Sequence, residues 1–141
     1  MTLSHVEQAL LIAAYFRGAL SGDRYVTASC SEVINLSLFY TGDITGKTCE
    51  ERFLRIPEPH LYDEDGNLID DIRLRYEVLI DFICNHPGLI EGAGNLDLPA
   101  DPSFTGCRLT RAGVELATSF IPLFPTKPEF PERPDRRKYS V

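Results

Sequence analysis

Apolar positions recur at helical spacing along most of the chain, and short polar signals divide the pattern into segments. Ser4-His5-Val6-Glu7 fits a capping box, in which the Ser4 hydroxyl and the Glu7 carboxylate satisfy each other's orphan amides. Val6, Leu10, Ala13 and Ala14 then mark one helical face. Gly22 predicts a stop near Leu20. Ser29-Cys30-Ser31-Glu32 offers a second box. The run from Val33 to Phe39 reads two ways: Ile34, Leu36 and Leu38 alternate as in a strand, whereas Val33, Leu36 and Tyr40 share a helical face. Helix is the preferred reading. Thr48-Cys49-Glu50-Glu51 is a third box, opening a short helix to about Arg55. Pro57 ends it by disfavouring α geometry at Ile56. Residues 57–67 read as loop, with Asp63-Glu64-Asp65-Gly66-Asn67 as an acidic turn.

Asp70 and Asp71 suit a helix N-terminus, where the macrodipole favours negative charge. Ile72, Tyr76, Leu79 and Ile83 mark one face of this helix. Leu74, Val78 and Phe82 widen the stripe, which predicts a largely buried helix. Asn85-His86-Pro87-Gly88 terminates it. Leu89-Ile90-Glu91 reads as a short strand, residues 92–106 as a Gly/Pro/Asp loop, and Cys107-Arg108-Leu109-Thr110 as a returning strand. Thr110 can cap a last helix carrying Val114, Ala117 and Phe120, which Pro122 limits to about Ile121.

Helix, Gly88-Leu89-Ile90-Glu91, loop, Arg108-Leu109-Thr110-Arg111-Ala112-Gly113, helix: over residues 71–121 this order resembles the winged helix-turn-helix superfamily. There a recognition helix ends in a turn and a short "GLI" strand, a wing follows, and an "LTxxG" junction returns the chain. Leu109-Thr110-Arg111-Ala112-Gly113 and Leu116-Ala117 match the junction. The resemblance implies that residues 71–86 enter a DNA major groove. Arg73 and Arg75 would then contact the groove, with Arg108, Arg136, Arg137 and Lys138 on phosphates. It implies a transcription-regulator-like module, with dimerisation to span two half-sites. The chain departs from the pattern in its charges. Arg73 and Arg75 sit among Asp70, Asp71, Glu77 and Asp81, and residues 92–106 hold Asp97 and Asp101 but no Lys or Arg. A wing resting on phosphates ordinarily carries cations.

The C-terminal stretch has a different period. Pro122, Pro125, Pro128, Pro131 and Pro134 recur every third residue and are half of the ten prolines. Polyproline II has three residues per turn, so these five would line one edge over about 37 Å at roughly 3.1 Å per residue. Phe124, Lys127, Phe130 and Arg133 line a second edge. A pre-stiffened segment loses little entropy on docking, which makes Pro122, Phe124, Pro125, Pro128, Phe130, Pro131, Arg133 and Pro134 candidate partner contacts. Pro128-Glu129-Phe130-Pro131-Glu132-Arg133 fits the PxxP-plus-Arg pattern read by SH3-type domains. The alternative is a strap packed on the chain's own core or on a dimer mate, which would cover Phe124 and Phe130.

Composition narrows the function classes. With 141 residues, 43% hydrophobic and 25% charged, the chain has the make-up of one globular domain. A domain of this size buries roughly 68–70% of its unfolded surface and needs no disulfide or metal. The net charge of −7 opposes non-specific nucleic-acid binding. It is uneven: residues 1–126 hold nine basic and eighteen acidic residues, and residues 127–141 hold five and three. Cys30, Cys49, Cys84 and Cys107 lack zinc-ligand spacing. Met1-Thr2-Leu3-Ser4-His5 lacks a basic leader, so the expectation is reduced, mostly buried thiols in a cytoplasmic protein. No apolar run reaches about 18 residues, the length that would span a membrane.

Three motifs come close to known chemistry and fall short. Residues 41–48, TGDITGKT, place Gly42 one position late for a P-loop, whose phosphate cradle depends on its length. A turn followed by a capped helix explains them better. Setting Gly66 at the sixth position of an EF-hand loop puts Leu61 first and Ile72 twelfth, and neither ligates calcium. Cys84 and His86 point to different faces of a helix, and no nucleophile elbow occurs. The reading is therefore an α+β, mostly helical, winged-helix-like domain over 1–121 with a short β-hairpin wing, followed by a polyproline-II strap over 122–141. It is non-catalytic, with no cofactor or metal. DNA binding is the first function, and a protein-interaction module or homodimer on an acidic scaffold is the alternative. A small enzyme is the remote one, and a pocket holding groups with shifted pKa values would favour it.

Overall fold

The computed structural model describes residues 2–19, 27–55, 69–93, 104 and 106–126. The chain is mostly helical with one small antiparallel sheet, an α+β arrangement. Its elements are α1 (His5–Ala19), β1 (Ala28–Ser29), α2 (Cys30–Tyr40), α3 (Gly46–Arg55), α4 (Asp70–Asn85), β2 (Ile90–Ala93), β3 (Gly106–Leu109) and α5 (Arg111–Phe120), with a 3₁₀ turn at Ile121–Leu123. None of these helices is long and apolar enough to cross a membrane.

Helix α1 begins with the expected box: Glu7 N–H donates to Ser4 Oγ at 3.1 Å, and Ser4 N–H donates to Glu7 Oε1 at 2.9 Å. Ala9 to Tyr15 are all buried, so α1 is wrapped on every side. It is the central rod, touching α2, α4, α5, β1 and β3. The ambiguous run after Ser29 is helical, as preferred. Its box does not form, however: Ser29 is extended and makes no side-chain cap bond. The third box is displaced too. Thr45, not Thr48, caps α3, its hydroxyl accepting from Thr48 N–H at 3.1 Å, and α3 starts at Gly46. Between them α2 closes through Gly42, which has φ +79° and donates its N–H to Phe39 O at 3.0 Å. Glycine takes this left-handed position without the Cβ penalty. Residues 41–48 are thus one helix end followed by a capped helix start, and no phosphate cradle. Asn35 then ties α2 to α3, donating through Nδ2 to Cys49 O at 2.8 Å.

The sheet order is β1-β3-β2, antiparallel throughout. Ile90 pairs with Leu109 and Glu91 with Arg108, so the two strands expected in the second half do form a hairpin. Both run beyond their expected ends, into Gly92-Ala93 and back to Gly106. β1 has only two residues, Ala28 and Ser29, too few for any alternation to register in the sequence. Thr110 joins the hairpin to α5. Its N–H donates to Leu89 O at 3.0 Å, its hydroxyl donates to Gly88 O at 2.7 Å, and the same oxygen accepts from Gly113 N–H at 3.0 Å. Gly113 lies so close to this turn that a Cβ there would stand 2.0 Å from Leu89 O. The Leu-Thr-x-x-Gly sequence is therefore a packing requirement, in which the threonine locks the turn and the glycine lets α5 approach it.

Pro122 departs from the expected polyproline register. It lies inside the 3₁₀ turn that extends α5, where its fixed φ serves equally well. Phe124 then packs back on the body, stacked on His5 at 4.8 Å and edge-on to Tyr40 at 5.8 Å. Packing therefore continues past residue 121. Pro128, Phe130, Pro131, Arg133 and Pro134 lie outside the described residues, as does the acidic turn at 63–67.

Candidate functional site

Helix α4 is the element the sequence reading placed in a DNA groove. Its inner face, Ile72, Leu79, Phe82 and Ile83, is buried in the core. Tyr76 fastens it to the strand connection: its hydroxyl donates to Phe104 O at 2.9 Å and accepts from Phe104 N–H at 3.0 Å. At its C-terminus His86 Nε2 lies 3.4 Å from Glu7 Oε2, joining this end to the α1 cap.

Of the six cations expected to touch nucleic acid, Arg73, Arg75 and Arg108 are described, and Arg75 does not share an exposed surface with the other two. Arg75 turns inward and is 8% exposed. Its guanidinium donates to Ser37 Oγ at 3.0 Å, Thr41 Oγ1 at 3.1 Å and Asp43 Oδ2 at 3.0 Å, and Thr41 Oγ1 also donates to Asp43. Burial pushes the Arg75 pKa down, and the Asp43 charge opposes that push. Here Arg75, expected in a DNA groove, ties α4 to the end of α2. Its register, between Ile72 and Leu79, places it at the edge of the core. Arg73 does face solvent, but between carboxylates, with Asp70 Oδ1 at 3.6 Å and Glu77 Oε1 at 3.7 Å. Arg108 is exposed on the hairpin and meets Glu91 Oε2 at 2.6 Å, its cross-strand partner. Arg136, Arg137 and Lys138 lie outside the described residues.

The outward face of α4 instead presents Asp70, Glu77 and Asp81 with Arg73 alone as counter-charge, and beside them Leu74 (53% exposed) and Val78 (37% exposed). The expectation of a largely buried helix is corrected at these two positions. Eight apolar positions between 72 and 83 span more of the helix surface than one neighbouring layer can cover. That excess width was the signal available in the sequence. Leu74 and Val78 form one wall of a groove of about 260 Å³; Val6 and Leu38 supply its other apolar surface. Asp43 and Asp71 edge it, and Arg75 lies at its base. Asp71 accepts from Arg52 at 3.0 Å through Oδ2, while its Oδ1 has no hydrogen-bond partner among the described residues.

A second hollow, about 580 Å³, lies between α1, Tyr40 and residues 121–126, and is lined chiefly by Ile12, Phe16, Tyr40, Ile121 and Phe124. Pro122 and Pro125 close its rim.

Two buried acidic protons respond to this packing. The Cys107 thiol is held well above its ordinary pKa, first by hydrogen bonding with Cys30 and then by burial. The Tyr40 hydroxyl is pushed up chiefly by burial. It has no hydrogen-bond partner among the described residues. The fold favours both neutral forms, so their stabilisation is complete below the unfolded pKa values and is lost as pH rises. Stability should therefore be flat up to about pH 8.5 and fall above it, more steeply past about pH 10. Urea midpoints measured from pH 7 to 11 check this. Cys107→Ala should flatten the first part of the fall and Tyr40→Phe the second. Tyr40→Phe should cost nothing at pH 7, because it removes an unpaired buried hydroxyl.

Cys30, Cys49 and Cys107 are buried, and Cys84 is exposed on α4. Among the described residues no three His, Cys, Asp or Glu side chains converge as metal ligands. No protein-family model, curated protein or solved structure matches the chain.

Proposed function

We propose that the chain is a non-catalytic protein-binding domain on a winged-helix-like scaffold, and that it engages its partner through the outer face of α4. The scaffold reading is supported by the paired hairpin β2–β3 and the Thr110/Gly113 junction, which join a helix, a short ribbon and a returning helix. One observation carries the choice of protein over DNA. The helix that a winged helix would insert into a groove is anionic on its outer face and keeps two apolar side chains in water. Carboxylates repel phosphates, whereas exposed apolar positions rimmed by polar ones mark protein contacts. The PxxP-plus-Arg sequence over Pro128–Arg133 would offer a second contact element of the kind read by SH3-type domains.

Two measurements test this reading. Titration of random duplex DNA at low salt should give flat curves up to micromolar protein. Selection of a random peptide display library on the full chain should enrich binders, and Leu74→Asp should lose most of them while keeping the circular dichroism spectrum. Steep, salt-dependent DNA binding that Arg73→Ala weakens would reverse the choice.

A further inference from the structure

The groove beside α4 combines an apolar floor with a rim on which carboxylates outnumber cations. Val6, Leu38, Leu74 and Val78 make the floor and walls. Around them stand Asp43 and Asp71 at the edge, and Asp70, Glu77 and Asp81 along the neighbouring helix face. The cations close by are already engaged. Arg75 is bound to Ser37, Thr41 and Asp43, Arg52 to Asp71, and Arg73 lies between Asp70 and Glu77. The free valence of the rim is negative, in a body whose residues 1–126 carry twice as many acidic as basic residues. Asp71 Oδ1 adds an acceptor without a donor among the described residues.

From this complementarity we infer that the groove takes a cationic amphipathic helix of a partner protein. The inference rests on the protein-binding reading and names the partner's chemistry. One large apolar side chain of the ligand seats between Leu74, Val78, Val6 and Leu38. A volume of about 260 Å³ exceeds the ~150 Å³ that admits a benzene-sized group. Lysines or arginines flanking that anchor meet Asp43, Asp71 and Asp81. This is helix-in-groove recognition, with apolar anchors giving affinity and charge giving approach rate and orientation. A nucleic acid fails both requirements, since it offers phosphates to a carboxylate rim. An acidic or neutral helix meets only the apolar one.

The experiment uses the full chain and labelled synthetic peptides of about four helical turns. The first carries Leu and Phe at i, i+3, i+4 and i+7 with lysine flanks. The second replaces each lysine by glutamate, and the third scrambles the first. Fluorescence anisotropy should show the first binding at least tenfold tighter than the other two, with affinity falling as salt rises. Leu74→Asp should reduce its affinity at least tenfold. Glu77→Lys combined with Asp81→Lys should do the same. All these positions are exposed, so melting temperatures should hold. Equal binding of the scrambled peptide, or preference for the glutamate peptide, overturns the inference. A dimer that Leu74→Asp dissociates in sedimentation would make a second copy the occupant. Binding that appears only after Arg133, Arg136, Arg137 and Lys138 are changed to serine would make the chain's own terminus the occupant. Each of those results also overturns it. Display binders that map to α4 but are not basic refute this inference and leave the protein-binding reading standing. A library yielding no binder refutes both.

Discussion

Gly113→Ala is expected to destabilise the chain by about 3 kcal/mol or more, at the upper end for inserting a methyl group into a packed site. The methyl would stand 2.0 Å from Leu89 O and 3.0 Å from Leu89 C, backbone atoms that no rotamer change can clear. Relief requires moving α5 away from the turn. That stretches the Gly113 N–H to Thr110 Oγ1 bond of 3.0 Å and the Thr110 N–H to Leu89 O bond of 3.0 Å. The melting temperature should fall by about 10 °C for a chain of this size. Gly88→Ala is the control. Its added methyl meets nothing within 4 Å, and its φ is not in the left-handed region. It should leave stability unchanged within about 0.5 kcal/mol. Equal losses at the two glycines would show that the junction is not tightly packed.

Arg75→Ala should cost about 2–4 kcal/mol, measured by urea denaturation. Three hydrogen bonds from a buried guanidinium are lost, and Ser37 is left buried with one partner fewer, bonded still to Ile34 O at 2.8 Å. Asp43 is half exposed, so water recovers part of its loss. A double-mutant cycle with Asp43→Ala should accordingly assign only about 1 kcal/mol to that pair. Arg75→Lys should recover less than half, because an ammonium cannot span three acceptors in a planar fork. Arg75→Met preserves the stem packing and separates it from the polar loss. A nucleic-acid role for Arg75 would instead produce an affinity change with little effect on folding.

Where a helix starts and ends was legible in the sequence when backbone geometry left a single solution. Ser4/Glu7 and Thr110 cap as read, and α5 gives way to a 3₁₀ turn at Ile121, one residue before Pro122. Registers failed where several hydroxyls competed. Thr45 and Thr48 both offer an oxygen near the α3 start, and only the turn through Gly42 decides that Thr45 arrives first. Two-residue β1 was invisible because its pairing with Gly106 and Cys107 is set by a strand almost eighty residues away. The candidate site was half legible. The acidic residues of α4 and most of its apolar ones were noted, but which of them face water depends on what packs against the helix. Leu74 and Val78 find no cover, whereas Arg75 does, from the end of α2. Charge counting pointed to an acidic chain. It did not show that Arg75 is withdrawn from the surface altogether.

The ring-to-ring contact of His5 with Phe124 brings the entry and exit of the body side by side. A unit whose two ends meet can be spliced as a cassette into a surface turn of a host protein without prying the host apart, or re-cut at a new opening with its old ends joined by a short bridge. A join on the amino-terminal side would lie next to Val6, one wall of the groove beside α4, and so would have to leave that wall in place.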